Sequence, residues 1–298
     1  MPNYHRETSR TLDAGRQPAI EVRNPNGSVR VRGEDRGDVY IVAKATFSAV
    51  SEDEAAGLLR AIEEAIELQG NNSVRVQSPE AGRPGFLPGF VSGALGWGHG
   101  LQLDYEIVAP HGSSAVIQLV HGHAEARQIG GDVRVHLVNG SFRLEDIGAD
   151  AAVRMLNGNG NAVRIAGDVD VTMTNGRLEL EAPGSDTEFQ IVNGDVDIKH
   201  AGGDIRGHGI SGRIELEGAI RGDVTLHTGH GRIVLKVPAH SRFELDAQSI
   251  LGSVTSELDV RDVEGGGRPG PETPRVTLRI QTGNIELRRL REAEPASV

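Results

Sequence analysis

From residue 111 onward, apolar and polar residues alternate in short runs, and the runs recur. Val133, Val135 and Leu137 precede a glycine, and Phe142 and Leu144 follow it. The same order returns as Val169, Val171, Met173, Leu178 and Leu180, and again as Val224, Leu226, Ile233 and Leu235. Period-two alternation predicts strands with one buried face, and no helical periodicity competes with it here.

Glycine sets the spacing. Gly122, Gly140, Gly158, Gly176, Gly194 and Gly212 stand 18 residues apart, and Gly231 follows one residue late. Before them stand His121, Asn139, Asn157, Asn175, Asn193 and Ser211, which predicts an Asn-Gly-type turn at each. Eight residues before each glycine from Gly140 on, Asp132, Asp150, Asp168, Asp186, Asp204 and Asp223 mark a second corner. Two short strands and two corners per repeat can stack so that equivalent strands pair in parallel. The expected fold is all-β: a single-stranded β-solenoid of about 18 residues per coil, its roughly nine coils making a rod of roughly 40 Å. A right-handed β-helix is favoured because parallel crossovers are right-handed, and a left-handed three-sided coil also accommodates the repeat. A meander of hairpins is the rival, but hairpins do not require the same residues at every second turn.

Residues 16–110 read as an N-terminal β/α cap, 111–291 as solenoid repeats and 292–298 as a disordered tail. In the cap, Ile20, Val22, Asn26-Gly27, Val29, Val31, Val39 and Ile41 predict a small sheet on the same template. One amphipathic helix follows, with Ser51 as N-cap, Glu54 completing a capping box, a stripe of Ala55, Leu58, Leu59, Ile62 and Ile66, and Gly70 as its end. Gly82 to Gly100 (GRPGFLPGFVSGALGWGHG) breaks the pattern. Phe86, Leu87, Phe90 and Trp97 sit there in a glycine and proline framework unsuited to regular structure, and are the partner-binding candidates; folding back over the cap is the plainer role. Glu264 to Pro274 reads as a surface excursion before last strands at Val276–Ile280 and Ile285–Leu287.

The units LVNGSFRL (Leu137–Leu144), MTNGRLEL (Met173–Leu180), IVNGDVDI (Ile191–Ile198), LHTGHGRIVL (Leu226–Leu235) and IQTGNIEL (Ile280–Leu287) resemble a bacterial putative-adhesin family of β-strand repeats, a family of unknown function. The opening IEVRNPNGSVRV (Ile20–Val31) and the Val237-Pro238 step resemble it too, so the likeness runs from about Pro18 to Leu290. It implies a β-helical fold, no enzymatic activity, and binding or signalling associated with the cell envelope.

Composition narrows the chemistry. Forty glycines beside 3% aromatic residues imply many turns and a core of stacked aliphatic side chains. A net charge of −11 argues against nucleic acid as a partner. The absence of cysteine excludes disulfides and thiolate metal sites. Met1 to Gly15 lacks the apolar run of a secretory signal, and no stretch has the roughly 20 apolar residues of a membrane span, so the expectation is a cytoplasmic protein, peripheral to the envelope through a partner.

The aspartate ladder invites two sharper readings. Carboxylates one coil apart would lie near the roughly 5 Å of a retaining glycosidase pair, but catalysis needs two in unlike environments, and a repeat gives all the same one. Calcium-binding rolls use denser Gly-Asp nonapeptides. The ladders of Asn139, Asn157, Asn175 and Asn193 and of Asp132, Asp150, Asp168, Asp186 and Asp204 are therefore assigned to structure, the aspartates as Asx-turns, and no metal or cofactor is expected. His121 with His123, and His227 with His230, are pairs without a third ligand. His136, His208 and His227 share a place four before the glycine and read as belonging to non-consecutive coils. Asn157-Gly158-Asn159-Gly160-Asn161 lacks a phosphate loop's lysine and helix. The chain reads as a non-enzymatic binding or scaffold module docking to a protein partner. Self-assembly through the final coils, with sensitivity at Leu278, Ile280 and Ile285, is the alternative, and a polysaccharide-active enzyme the remote one.

Overall fold

The structure, a computed structural model, describes residues 3–79, 101–239, 241–258 and 273–290. Among the described residues it is all-β apart from one helix, and the chain divides into two compact units, Met1–Asp150 and Ala151–Val298. The segment carrying Phe86, Leu87, Phe90 and Trp97, the tail and most of the excursion before the last strand lie outside the described residues.

The first unit holds β1 (Asn3–Leu12), β2 (Ala19–Glu34), β3 (Val39–Ser48), α1 (Glu52–Glu64), β4 (Ile66–Gln69), β5 (Ser73–Gln77), β6 (Gln102–Pro110), β7 (Ser114–Ile129) and β8 (Val133–Ile147). Its sheet runs β1-β3-β6-β2-β7-β8. β3 pairs antiparallel with β1 and β6, whereas β6, β2, β7 and β8 pair in parallel. Gly27 of β2 faces Gly122 of β7, which faces Gly140 of β8, so the parallel ladder already includes β2. β5 and β6 share one edge of β2, and buried Ser78, just after β5, donates to Asn24 Oδ1 at 2.8 Å. Asn24 in turn donates to Leu103 O at 2.7 Å, so its one side chain bonds both Ser78 and β6. Tyr105 closes this cluster, and burial pushes its phenol up to about 12 against the opposing contact with Ser78.

Ser51 caps α1 by accepting from the Glu54 amide at 3.2 Å, and the Glu54 carboxylate reaches back to the Val50 amide at 2.6 Å. The helix is shorter than the apolar stripe predicts. It ends at Ala65, and Ile66 turns into β4, buried opposite Val76 of β5, while Gly70 (φ +66°) serves the turn between the two strands. The antiparallel pairing outcompetes one more helical turn.

The second unit holds β9 (Ala151–Ile165), β10 (Val169–Pro183), β11 (Thr187–Lys199), β12 (Ile205–Glu217), β13 (Val224–Val237), β14 (Glu244–Leu251), β15 (Val254–Ser256) and β16 (Arg275–Arg289). Its ladder runs β9-β10-β11-β12-β13-β16-β14, with β15 also on β16, and every pair is parallel. Register follows the repeat: Asn157, Asn175 and Asn193 are mutual neighbours, as are Gly158, Gly176 and Gly194. The last strand is not the last rung. β16 is one strand, not two, and lies between β13 and β14, so Leu278, Ile280 and Ile285 are buried with strands on both sides and do not form a free end.

The Asn-Gly steps also differ from expectation. Except at Gly252, where the chain breaks into β14 and β15, each ladder strand runs through its glycine and keeps pairing, so a rung holds one long bent strand where two short ones and a turn were predicted. The ladder glycines bend it with φ between +126° and +158°. A second bend comes six residues later, where Gln128, Asp146, Arg164, Ala182 and His200 take φ of 51° to 57°. These five share no residue type, and nothing in the sequence marks them.

Inward side chains form rows along the ladder. In one row Val169, Thr187, Ile205, Val224 and Val276 stack in order. Thr187 is 1% exposed and its hydroxyl has no hydrogen-bond partner among the described residues. Replacing an unpaired buried hydroxyl with a methyl of equal shape removes a desolvation cost of about 1–3 kcal/mol. Thr187→Val is therefore expected to stabilise the protein by about 1 kcal/mol in urea denaturation; a loss of stability would show that the hydroxyl has a partner.

Candidate functional site

Both corner ladders serve structure. Asn175 Nδ2 donates to Asn157 Oδ1 at 2.7 Å and Asn193 Nδ2 to Asn175 Oδ1 at 3.1 Å; in the first unit Asn139 Nδ2 lies 3.4 Å from His121 Nδ1. Three of the aspartates bond across the ladder, where an Asx-turn would bond within the corner. Asp168 Oδ1 accepts from the Asp186 amide, Asp186 Oδ1 from the Asp204 amide, and Asp204 Oδ1 from the Asp223 amide at 2.8 Å. These three carboxylates thus bond the next rung, where stacking brings an amide donor within reach. Asp132 receives Arg134 at 3.3 Å. No group of three His, Asp or Glu among the described residues could hold a metal ion.

The two outward faces of the second unit differ in kind. One carries residues 177, 179, 195, 197, 213, 215, 232, 236 and 286, and its charges pair across rungs. Arg213 lies 3.2 Å from Asp197 and 3.0 Å from Glu215, Arg232 lies 3.2 Å from Glu286, and Lys236 pairs with Glu215. The Glu215 hydrogen bond, outweighing partial burial, raises the Lys236 pKa. Such exposed pairs contribute about 0–1 kcal/mol each and leave the face electrostatically closed.

The other face is built from different residues. His208 of β12 is the direct partner of His227 of β13, His227 of Arg279 of β16, and Arg279 of Gln248 of β14. His208 and His227, read as non-consecutive, stand four before the successive glycines Gly212 and Gly231 and so lie on adjacent rungs, with ring centroids 5.3 Å apart and edge to face. Beside this row run Ile210, Gly229, Gln281 and Ile250, with Ile210 55% and Ile250 70% exposed. Gly229 supplies no side chain between Ile210 and Gln281, and a groove of about 450 Å³ opens there, with His230 at its rim. Arg279 is held by Asp246, whose Oδ1 accepts from Nη1 at 2.8 Å, and the guanidinium lowers the Asp246 pKa.

Burial, followed by the charges of His208 and Arg279, holds the His227 pKa below its ordinary 6.5. The folded state then binds this proton less readily than the unfolded chain. Its stabilising effect is complete above pH 6.5 and declines as pH falls from there toward the lower folded value. Thermal melts over that window should fall with acidification, and His227→Gln should flatten the decline. An unchanged slope in the variant would assign the loss to other groups.

In class this is an all-β protein of long parallel repeat strands. A putative lipid binding protein from Parabacteroides distasonis aligns over 96% of this chain and 97% of its own, with a TM-score of 0.52 and 10% identity. A putative cell adhesion protein from Clostridium sporogenes aligns over 96% of this chain and 100% of its own, at 10% identity and a TM-score of 0.26. At such identity the first likeness concerns the fold alone, and the second adds no argument. No family model matches the chain, and no curated protein matches it in sequence. Among the described residues, no helix is long and apolar enough to cross a membrane.

Proposed function

We propose that the 18-residue rungs are coils of a β-solenoid and that the protein is a non-enzymatic binding module, engaging a protein partner at the cell envelope through the His208–Arg279 face of its second unit. The observation behind this reading is the contrast between the two outward faces. One spends its charges on its own neighbours, whereas the other presents imidazoles, glutamines and exposed aliphatic side chains around a groove. Interfaces favour apolar and amphipathic groups over paired surface charge. The carboxylates of the aspartate ladder accept backbone amides rung after rung, a structural use that fits a scaffold better than a hydrolase.

The test is crosslinking in native cells with wild type, an Ile210→Glu/Ile250→Glu variant, and a Glu215→Gln control on the opposite face. A specific envelope partner retained by wild type and control but lost from the double variant supports the reading. Equal capture by all three defeats it. Self-assembly is a second reading, supported by Ile250, Leu251 and Val254, exposed on β14 and β15 at the outer edge of this ladder. It requires a mass that rises with concentration in sedimentation equilibrium.

A further inference from the structure

The row His208, His227, Arg279 crosses three adjacent strands, so its side chains repeat at about the 4.8 Å strand spacing. That spacing suits the oxygens of one anionic group bridging two neighbours. The charge state of the row depends on pH in an unusual way. Arg279 is ion-paired with Asp246 of β14, which binds it through both carboxylate oxygens. Arg206, outward on β12, is likewise paired with Asp204 at 3.1 Å. His208 of β12 and His227 and His230 of β13 are the remaining titratable groups of the groove. With the imidazoles uncharged, the groove would carry no unpaired cation. As they protonate it becomes cationic, and two like charges then face each other directly across β12 and β13, an arrangement that repels. An anion seated between them would remove that repulsion. Beside the imidazoles, the gap over Gly229, flanked by Ile210 and with Ile250 further along the row, offers apolar surface for the rest of a ligand.

We propose that this groove is an acid-activated oxyanion site, taking a carboxylate, sulfate or phosphate group carried on a short apolar body, with His208 and His227 gripping the anion and Ile210 and Ile250 flanking its apolar part. It rests on reading this face as a binding surface and assigns it a ligand chemistry. Depressed basicity of His227 agrees with a desolvated position that an anion would relieve.

Sulfate is the probe of choice because it does not titrate in this range. The full chain is titrated with sodium sulfate at constant ionic strength, imidazole resonances being followed at about pH 5.5 and about pH 7.5. Sulfate is expected to raise the His227 pKa and to bind about tenfold tighter at the lower pH, by proton linkage. Butyl sulfate should bind about tenfold tighter than sulfate through the aliphatic contacts, and sodium butyrate against butyl phosphate then separates carboxylate from phosphate sources. His208→Gln and His227→Gln, both outward substitutions checked for folding by circular dichroism, should each weaken sulfate binding at the lower pH and reduce the pH dependence, the double variant most. Sulfate that moves no imidazole, that binds equally at both pH values, or that binds the variants like wild type overturns the proposal. Partner capture reads separately: sulfate failure with capture intact removes the oxyanion site and leaves the docking face, and sulfate success with face-independent capture does the reverse.

Discussion

Gly176→Ala is expected to destabilise the protein by about 4 kcal/mol or more, a size reserved for mechanisms that break backbone geometry. Two causes act together. The residue has φ +139°, a region that side chains rarely adopt. In addition, a methyl group there would overlap the Gly158 carbonyl oxygen and sit 2.7 Å from its carbonyl carbon. Relief cannot be local. Moving the Gly176 backbone away from Gly158 pushes it toward Gly194, where a Cβ would meet the Gly176 carbonyl in the same manner. Since each strand of the ladder pairs only with its two neighbours, the damage falls on the β9-β10-β11 pairings. Urea denaturation read by circular dichroism measures the loss. Asn175→Ala is the control, removing the amide contacts to Asn157 and Asn193 at a cost of about 1 kcal/mol each. If Gly176→Ala were no worse than Asn175→Ala, the glycine bend would be a tolerance rather than a requirement.

That bend also shows how far the sequence could be read. The register was legible because identical residues 18 apart are needed wherever a carbonyl stacks on a carbonyl, and Gly158, Gly176 and Gly194 pair as their spacing predicts. Their conformation was not legible. Asn-Gly is the strongest short signal of a reversing turn, and the same dipeptide here bends a strand that continues, a choice made by the neighbouring rung. β1 was missed because NYHRETSRTL buries almost nothing and is held by pairing with β3, helped by the stacking of Tyr4 on Phe47 at 5.8 Å. The insertion of β16 between β13 and β14 leaves no local trace, being a matter of which strand edges remained free. The histidine pair was legible: His208 and His227 hold the same place in their repeats, and since Gly212 and Gly231 are successive ladder glycines the two belong on adjacent rungs, contrary to the reading as non-consecutive coils. The groove beside it needed the structure, since the side chain that Gly229 lacks matters only with Ile210 and Gln281 around it.

Phe189→Ala should cost about 3–5 kcal/mol, and the reason it should reach that range lies on the next strand. The inward row here reads Val171, Phe189, Gly207, Leu226 and Leu278, so the bulkiest side chain of the row is followed by none at all. Phe189 is 0% exposed and its ring fills the place that a side chain at Gly207 would take. A Cβ at Gly207 would overlap the ring edge and come within 2.8 Å of Leu226 Cδ2. Gly207→Val alone should therefore destabilise by about 3 kcal/mol through overpacking. Each change creates the defect that the other repairs: truncating the ring opens a cavity, and the valine branches occupy it. The double variant Phe189→Ala/Gly207→Val should recover at least about 2 kcal/mol of the summed losses. Additive losses in the denaturation cycle would mean that ring and glycine do not share one space. Recovery would show that side-chain volume in this core is set along the ladder, summed over neighbouring rungs rather than within one.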